Sequence, residues 1–302
     1  DTIRRTFERF GYDPLETSAI QRTEVLTGGD EDSGKIIFNV KGSQEKSPKG
    51  KSDNSLRFDL TVPLARFLAE NTEIPKPFRR YEIGRVWRGE RPQAGRYREF
   101  TQADADIVGS SALGVESEIA ILIYTCFKNL GIENFTINYN NRKILSILTQ
   151  LCGFSEEKLW QVLRIIDKCD KIGRNRVNKE IEKEFGAETA NTIQKFIFEN
   201  SYEDDKDWID NLDDHIYAEI CKTFQALDID YKKLFVFNRS LVRGLSYYTG
   251  SIFEVILTDV PEIGSVCGGG RYDDLISKFT GQKIPAAGVS LGIDRLLTAM
   301  GK

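Results

Sequence analysis

Alternating apolar and polar residues predict a β-hairpin in the first third of the chain. A strand is predicted from Arg80 to Glu90, the turn residues 91–95 (RPQAG) follow, and the alternation resumes at Arg96. Strand side chains point alternately to the two faces of a sheet. One face of the return strand therefore carries Arg96, Arg98, Phe100, Gln102, Asp104 and Asp106, and the other carries Tyr97, Glu99, Thr101, Ala103, Ala105 and Ile107. By the same parity Arg88 and Glu90 share a face of the outgoing strand.

Helical spacing dominates from about residue 152 to residue 231. Apolar residues recur there three or four positions apart, as in Leu159, Val162, Leu163 and Ile166. Strand patterns lie on either side, at Phe135–Tyr139 and at Ile252–Leu257. We therefore expect an α+β fold with a helical insertion domain, and we divide the chain into residues 1–150, 151–232 and 233–302.

The segment 56–63 (LRFDLTVP) leads from a strand into a helix. If the alternation holds, Arg57, Asp59 and Thr61 share one face of that strand, and Pro63 begins the helix. Judged by these residues alone, Asp59 and Thr61 form a helix-capping pair more often than a binding site.

The overall composition is that of a globular protein of one large or two smaller domains, with 302 residues, 40% hydrophobic and 29% charged. No apolar run approaches the roughly 18–20 residues of a membrane span, and no signal peptide is recognisable, so we expect a cytoplasmic protein. The five cysteines form no CxxC pair and the only histidine, His215, lies in an acidic stretch. These features argue against a zinc site, a disulfide framework and a histidine-activated nucleophile.

Positive charge is concentrated in the hairpin although the formal net charge of the chain is −4. Seven arginines lie between residues 79 and 98: Arg79, Arg80, Arg85, Arg88, Arg91, Arg96 and Arg98. Guanidinium groups offer forked, permanently charged donors for phosphate oxygens, an aromatic ring can stack on a base, and carboxylates can hold a cationic substrate. The hairpin therefore suits a nucleotide bound beside an amine-bearing substrate. On spacing alone, a solvated edge hairpin whose charges pair with one another is about equally compatible.

A glycine-rich segment at residues 29–35 (GDEDSGK) nearly matches a P-loop. Ile36 stands where the Ser or Thr that contacts magnesium would be, and three acidic residues would repel the phosphates. We reject this interpretation.

Four segments resemble motifs of the histidyl-tRNA synthetase family of class II aminoacyl-tRNA synthetases, and the resemblance extends over nearly the whole chain. Residues 87–90 (WRGE) with 96–100 (RYREF) resemble motif 2, and residues 286–297 (AAGVSLGIDRLL) resemble motif 3. Residues 241–250 (LVRGLSYYTG) and 264–273 (GSVCGGGRYD) resemble two signatures of the histidine-specific enzymes. Ser246 departs from the first signature, because aspartate is usual there.

The resemblance implies an antiparallel six-stranded sheet flanked by helices, with a helical insertion near the tRNA acceptor arm. It also implies a homodimer paired through motif 1, which Thr2–Phe10 and its surroundings match only in part. The family normally continues with an anticodon-binding domain of roughly 100 residues. Nothing in the sequence corresponds to that domain, so we expect a catalytic core without it.

The resemblance also assigns roles to individual residues. The catalytic cations beside the α-phosphate are Arg88 and Arg243. Histidine is bound by Asp59, Thr61, Gln102, Asp106, Tyr247 and Tyr248. ATP is bound by Arg88, Glu90, Arg96, Arg98, Phe100 and Arg295. The backbone approaches the substrates at Gly244, Gly268, Gly269, Gly270 and Gly292. Mg²⁺ bridges phosphate oxygens and is not held by side chains alone.

The implied activity is ATP-dependent activation of L-histidine to histidyl-adenylate, followed by transfer to tRNA(His). An alternative of another class is a catalytically silent paralogue, such as the regulatory subunit of ATP phosphoribosyltransferase, which has the same fold and lacks the anticodon-binding domain. The presence of Arg88, Arg243 and Arg295 favours the ligase. A plain RNA-binding module is disfavoured by the acidic pI of 5.4.

Overall fold

The computed structural model describes residues 1–27, 36–42, 53–91, 95, 97–199, 215–242 and 247–301, with the backbone alone at residues 170 and 171. The rejected P-loop segment, Arg96, Arg243, Gly244 and Ser246 lie outside the described residues.

The helices follow the apolar periods of the sequence. They are α1 (Thr2–Arg9), α2 (Thr23–Thr27), α3 (Thr61–Glu70), α4 (Gly114–Asn129), α5 (Arg142–Cys152), α6 (Glu156–Ile166), α7 (Cys169–Ile172), α8 (Arg174–Phe185), α9 (Ala187–Gln194), α10 (Ile216–Ala226), α11 (Ser277–Thr280) and α12 (Ile293–Met300), with a π-helical turn at Lys195–Glu199 and a 3₁₀ turn at Pro261–Ile263. Among the described helices, none combines the length and the apolar character that crossing a bilayer requires.

The strands form a main sheet and a small one. They are β1 (Asp13–Pro14), β2 (Ile20–Arg22), β3 (Phe38–Val40), β4 (Asn54–Leu56), β5 (Phe78–Trp87), β6 (Glu99–Val108), β7 (Phe135–Asn141), β8 (Phe235–Phe237), β9 (Ser251–Leu257), β10 (Cys267–Arg271) and β11 (Ala286–Gly292). In the described part, the main sheet has eight strands in the order β1-β5-β6-β11-β10-β9-β7-β8, and β2-β4-β3 form the small sheet.

The α+β class is confirmed, but the expected six strands are wrong in number. The two edge strands, β1 and β8, pair in parallel with β5 and β7 and contain only two and three residues. Strands this short leave no alternation for a sequence pattern to reveal, because alternation needs about four residues to be visible.

The chain divides into two compact units, residues 1–135 with 255–302 and residues 136–254. In the first unit, Phe7 of α1 packs its ring 5.8 Å from Tyr81 of β5 and 6.3 Å from Tyr12. In the second unit, α5, α6, α8 and α9 bury a common cluster that includes Leu163 and Ile166. The helical periods predicted there are confirmed, whereas the domain boundaries at 151 and 232 stay a prediction.

The predicted hairpin is confirmed as β5 and β6, which pair antiparallel from Phe78 opposite Val108 to Trp87 opposite Glu99. The outgoing strand ends three residues before the predicted Glu90. Both predicted faces of β6 are confirmed over its length, because its neighbours on each side continue the alternation.

The expected strand through Arg57, Asp59 and Thr61 is wrong. Strand β4 ends at Leu56, and α3 begins at Thr61 with Pro63 in its first turn. The N–H of Val62 donates to Asp59 Oδ1 at 3.2 Å, so this carboxylate caps the helix as the capping alternative required.

Candidate active site

The polar face of β6 continues across the neighbouring strands in three rows. The strand pairings align Arg80, Asp106, Gly288 and Gly270 in one row, Glu82, Asp104, Ser290 and Gly268 in the next, and Gly84, Gln102 and Gly292 in the third. Charged side chains from β5 and β6 therefore lie beside glycines and a serine from β10 and β11. Such a face offers polar groups next to residues with little or no side chain.

Asp106 is held from both sides by buried donors. Arg80, which is fully buried, donates from Nη1 to Oδ2 at 2.9 Å, and the hydroxyl of Tyr272 donates to Oδ1 at 2.5 Å. Burial raises the pKa of Asp106, and the charge of Arg80 and the two hydrogen bonds act against that rise. A Cβ on Gly288 would lie only 2.1 Å from Asp106 Oδ1, so glycine is required opposite this carboxylate.

Glu82 binds two buried arginines together. Its carboxylate accepts from Arg57 Nη1 and from Arg80 Nη2, each at 2.6 Å. The backbone N–H and the hydroxyl of Thr17 donate to the same carboxylate at 3.2 and 2.9 Å. Two cations and two carboxylates, Glu82 and Asp106, thus balance one another in the interior, as buried charges must.

Asp59 pairs one carboxylate oxygen and leaves the other without a partner. Oδ1 caps α3, whereas Oδ2 is buried and has no hydrogen-bond partner among the described residues. Burial raises the pKa of Asp59 to about 6, although the Val62 N–H and the charge of Arg88 act in the opposite direction. Thr61, also buried, follows at the first position of the helix.

Two further buried oxygen atoms also lack a hydrogen-bond donor. Within the described part of the chain, Gln102 Oε1 and Asp104 Oδ1 have no partner, while Gln102 Nε2 donates to Ser290 Oγ. Burial and the charge of Asp106 raise the pKa of Asp104 well above its usual value. Asp59 and Asp106 both influence Asp104, so these carboxyls occupy one electrostatic environment. Buried acceptors without donors fit a ligand that brings its own donors, such as an ammonium group.

Asp104 is not among the site residues that the sequence predicts. It lies on the predicted polar face between Gln102 and Asp106, and that parity was the available signal.

The arginines of the hairpin separate into two groups. Arg79 pairs with Glu118 through two hydrogen bonds of 2.9 Å, Arg80 pairs with Glu82 and Asp106, and Arg85 pairs with Glu99. For these three the alternative of mutual charge pairing is correct, and they do not indicate an anionic partner.

Arg88 belongs to the second group. Its Nε donates to the carbonyl of Phe58 at 2.9 Å, and its guanidinium carbon lies 5.2 Å from the centre of the Phe100 ring. It is half-buried and has no carboxylate partner in the part of the chain that the structure describes. A half-buried cation held by a carbonyl and a ring is available to an anion.

The turn end of the hairpin contacts the start of α12. The N–H of Thr101 donates to Asp294 Oδ2 at 2.6 Å, and a Cβ on Gly95 would lie 3.3 Å from Arg295 Cγ. Arg295 is half-buried and donates from Nη1 to the carbonyl of Ser265. The motif 3 arginine is therefore placed at the same end of the sheet as the motif 2 hairpin.

The remaining predicted ATP residues of the hairpin are more open to solvent. Phe100 is half-buried, whereas Glu90 and Arg98 are exposed. These positions leave the side chains accessible to a nucleotide, and their roles stay predictions.

The three consecutive glycines of the second signature, Gly268, Gly269 and Gly270, lie in β10 and are all buried. A Cβ on Gly269 would lie 2.1 Å from the carbonyl of Gly288, so the neighbouring strand requires glycine at this position. At Gly292 the closest atom to an added Cβ is 3.5 Å away, which is ordinary contact. Close approach of these backbones to a substrate stays a prediction.

Tyr247 and Tyr248 belong to the second compact unit. Tyr248 is buried, Tyr247 is half-buried, and their ring centres are 4.9 Å apart. Because Arg243 lies outside the described residues, its convergence with Arg88 and Arg295 stays a prediction.

In the described part of the chain, neither a metal-binding cluster nor a separate cleft indicates a second functional site. No group of three or more His, Cys, Asp or Glu side chains there is arranged to hold a metal ion. A cleft of about 540 Å³ in the second unit is lined by Cys152, Phe154, Phe185 and neighbouring residues, none of which is a predicted site residue.

The mixed sheet, with the motif 2 hairpin paired to the motif 3 strand and a carboxylate-rich face beside an available arginine, defines a class II aminoacyl-tRNA synthetase. A family model described as histidyl-tRNA synthetase matches residues 1–296. The chain belongs to the histidyl-tRNA synthetase family.

Individual relatives agree with this membership. The chain is 42% identical to a histidine–tRNA ligase of Clostridium tetani, covering 98% of this chain and 69% of that protein. It is 40% identical to one of Helicobacter hepaticus, covering 99% of this chain and 70% of that protein. A crystal structure of histidyl-tRNA synthetase from Nostoc sp. PCC 7120 superposes with a TM-score of 0.83 at 32% identity, covering 99% of this chain and 70% of that chain.

A more distant structure shares the fold. It is described as an ATP phosphoribosyltransferase regulatory subunit/histidyl-tRNA synthetase from Bacillus halodurans. It superposes with a TM-score of 0.75 at 22% identity and covers 99% of this chain and 77% of that chain.

Proposed function

We propose that the protein activates L-histidine with ATP to histidyl-adenylate and transfers the histidyl group to tRNA(His). The relatives of about 40% identity that are named histidine–tRNA ligase support this activity. The observation that carries it is a set of three buried acceptors without partners in the described part, Asp59 Oδ2, Gln102 Oε1 and Asp104 Oδ1, in the same unit as Arg88. An amino acid provides the ammonium group for the acceptors, and ATP provides the anion for the arginine.

The amino-acid half of the site uses the carboxylate-rich face. Asp59 and Thr61, with the oxygen of Gln102, receive the α-ammonium group. Asp106 receives an N–H of the imidazole, because a carboxylate has about four lone-pair sites and Arg80 and Tyr272 occupy two of them. Tyr247 and Tyr248 line the imidazole pocket.

The ATP half uses the cations. Arg88 and Arg243 contact the α-phosphate and Arg295 contacts the γ-phosphate, while Arg96 and Arg98 contribute further positive charge. Phe100 stacks on adenine, and Glu90 accepts from its amino group. Mg²⁺ arrives with ATP as its phosphate-bound ion and reduces the negative charge of the phosphates, since Mg²⁺ is usually held by phosphates with few side-chain ligands.

The first step needs positioning more than proton transfer. A carboxylate oxygen of histidine forms a bond to the α-phosphorus, and the bond from that phosphorus to the bridging oxygen of pyrophosphate breaks. Two anions must be held together and the negative charge that develops must be stabilised, which fixed guanidinium groups achieve. The acyl group then passes to a terminal ribose hydroxyl of the tRNA, and AMP leaves.

We also propose that the protein acts in the cytoplasm as a homodimer formed through the motif 1 region near α1. Analytical ultracentrifugation tests the dimer, and a monomer at micromolar concentration would exclude it.

A second candidate is a silent paralogue that regulates another enzyme. Ser246, which stands where the ligases usually have aspartate, favours it, and its fold is shared by the Bacillus halodurans structure. Arg88 argues against it, because a protein that does not bind a nucleotide has no need of a half-buried arginine without a carboxylate partner in the described part.

Histidine-dependent exchange of pyrophosphate into ATP separates these candidates. The ligase shows exchange and a silent paralogue shows none. Arg88→Ala and Arg243→Ala should each reduce exchange by about 100-fold or more, because each removes a cation from the transferring phosphate. Arg85→Ala, which removes only an exposed ion pair, is the matched control and should leave exchange unchanged.

A further inference from the structure

The start of α12 is joined to β6 by a side chain, at the point where backbone pairing stops. Strand β11 pairs with β6 as far as Gly292 opposite Gln102, and α12 begins at the next residue, Ile293. One position beyond that pair, the N–H of Thr101 donates to Asp294 Oδ2 at 2.6 Å. A hydrogen bond from an amide to a carboxylate is charge-assisted and roughly twice as strong as a neutral one. This bond therefore holds the first turn of the helix against the strand.

The location of Asp294 in the helix favours the same contact. It is the second residue of α12, and it is half-buried. The N-terminal end of a helix carries a partial positive charge, which stabilises a carboxylate in the first turn. The helix thus supports the carboxylate that accepts from the strand.

The bond leaves the polar face of β6 open. Thr101 lies between Phe100 and Gln102, whose side chains are on that face, while the side chain of Thr101 is on the other. Asp294 contacts only the backbone N–H of Thr101. It therefore fixes the strand between the predicted adenine residue and the predicted ammonium residue without occupying the space of either ligand.

Arg295 is the next residue of the same helical turn. Its Nη1 donates to the carbonyl of Ser265, and a Cβ on Gly95 of the hairpin turn would lie 3.3 Å from its Cγ. Successive side chains of an α-helix are about 100° apart, because one turn takes 3.6 residues. Asp294 therefore points to β6 while Arg295 points elsewhere, and the direction of Arg295 depends on the orientation of the turn that Asp294 holds.

We propose that Asp294 is a positioning residue for ATP, which fixes the distance between Phe100 and Arg295. This inference rests on the proposed function, because it assumes that adenine stacks on Phe100 and that the γ-phosphate binds Arg295. One ATP molecule makes both contacts only when β6 and α12 have the matching separation. Without the carboxylate, the helix start moves relative to the strand. Each contact still forms by itself, but one ligand no longer makes both.

The test compares ATP with its two halves in calorimetric titrations with Mg²⁺ present. AMP carries the adenine and the α-phosphate, and pyrophosphate carries the part that Arg295 binds. Asp294→Ala should raise Kd and KM for ATP about tenfold, the usual effect of losing one hydrogen bond to a charged group. It should lower kcat of exchange by about 10- to 100-fold, because the α-phosphorus is then misplaced. Kd for AMP, Kd for pyrophosphate and KM for histidine should stay within about twofold.

Two further variants separate this role from a general loss of structure. Asp294→Asn keeps an oxygen acceptor at the same place and should retain ATP affinity within about threefold. The oxygen of Asp294→Ser is one atom closer to the backbone and does not reach Thr101, so this variant should match Asp294→Ala and replaces it if the alanine variant does not fold. Glu157→Ala removes an exposed carboxylate from the first turn of α6 and is the matched control, with no change expected.

Unchanged ATP affinity in the Ala and Ser variants, or equal weakening of ATP, AMP and pyrophosphate, would overturn the proposal. The titrations need no catalysis. A wild-type protein that binds ATP but shows no histidine-dependent exchange would therefore refute the proposed activity, and the comparison of ATP with its halves would still decide the role of Asp294. A wild-type protein that binds no ATP would overturn both.

Discussion

At the scale of single residues, Asp59 serves the fold and the site with different oxygens. Oδ1 caps α3, and Oδ2 has no partner in the described part of the chain. The carboxyl is buried, and its pKa is raised to about 6. The site therefore contains a carboxyl whose Oδ2 no described residue stabilises, and under the proposed function an ammonium group from the substrate offsets that cost.

Asp59→Asn tests this cost through the pH dependence of stability. A carboxyl whose pKa is about 6 in the folded protein and about 3.9 unfolded binds its proton more tightly when folded. The wild-type free energy of unfolding therefore loses about 2 kcal/mol as pH rises from 4 to 6.5. The variant keeps a capping oxygen and lacks this loss.

We expect the stability of the Asn variant, relative to that of the wild type, to increase as pH rises from 4.5 to 7 in urea unfolding. We also expect the variant to bind histidine more weakly in calorimetry. Asp259→Asn, on the surface, should show no such trend. A stability difference that is the same at both pH values would show that the buried carboxyl carries no such cost.

At the scale of elements, the site is a product of strand register. Asp106, Gly288 and Gly270 lie in one row although they are distant along the chain, because β6, β11 and β10 pair side by side. Strand β6 carries the carboxylate of Asp106, and Gly288 of β11, which has no side chain, leaves space for it.

Gly288→Ala tests whether Asp106 needs the space that this glycine leaves. The added Cβ would lie 2.1 Å from Asp106 Oδ1 and displace the carboxylate from Tyr272. We expect a destabilisation of about 1–3 kcal/mol, as is typical of overpacked interiors, and a higher KM for histidine than for the wild type. Thermal unfolding and exchange kinetics measure the two effects.

Gly114→Ala is the matched control for that substitution. Nothing lies within 4 Å of an added Cβ at the start of α4, so stability and KM should stay unchanged. If Gly288→Ala behaved in the same way, the tight register between β6 and β11 would be refuted.

At the scale of the molecule, a buried charge network joins three parts of the first unit. Thr17 near the N-terminus, Arg57 before α3 and Arg80 of β5 all donate to Glu82. Gly84 makes room for Arg57, because an added Cβ would lie 2.5 Å from its Nη2. Each charge is stable in the interior only because the others are present.

Glu82→Gln should therefore destabilise the protein by about 3–5 kcal/mol, since it leaves two buried arginines with too little negative charge. Glu99→Gln breaks the exposed pair with Arg85 and should cost about 0–1 kcal/mol. Urea unfolding of both variants compares a buried network with a surface pair. Similar costs for the two would show that the network around Glu82 contributes no special stability.

The sequence by itself determined the features that depend on near neighbours and on whole motifs. The two faces of β6 and the helical periods around Leu163 follow from alternation over a few residues, and the motifs identified the family. Local spacing carries this information because a residue three or four positions away is already a structural neighbour in a helix, and one two positions away in a strand.

Only the tertiary structure decided which charges are paired within the protein and which acceptors have no donor in the described part. Arg79 and Arg88 look alike in the sequence, but Arg79 forms an ion pair with Glu118 of α4, whereas Arg88 forms none with a described carboxylate. Likewise Asp104 differs from Asp106 because Arg80 reaches only the latter. Charge pairing depends on which distant side chains the sheet register brings within about 3 Å, and no pattern along the chain encodes that distance.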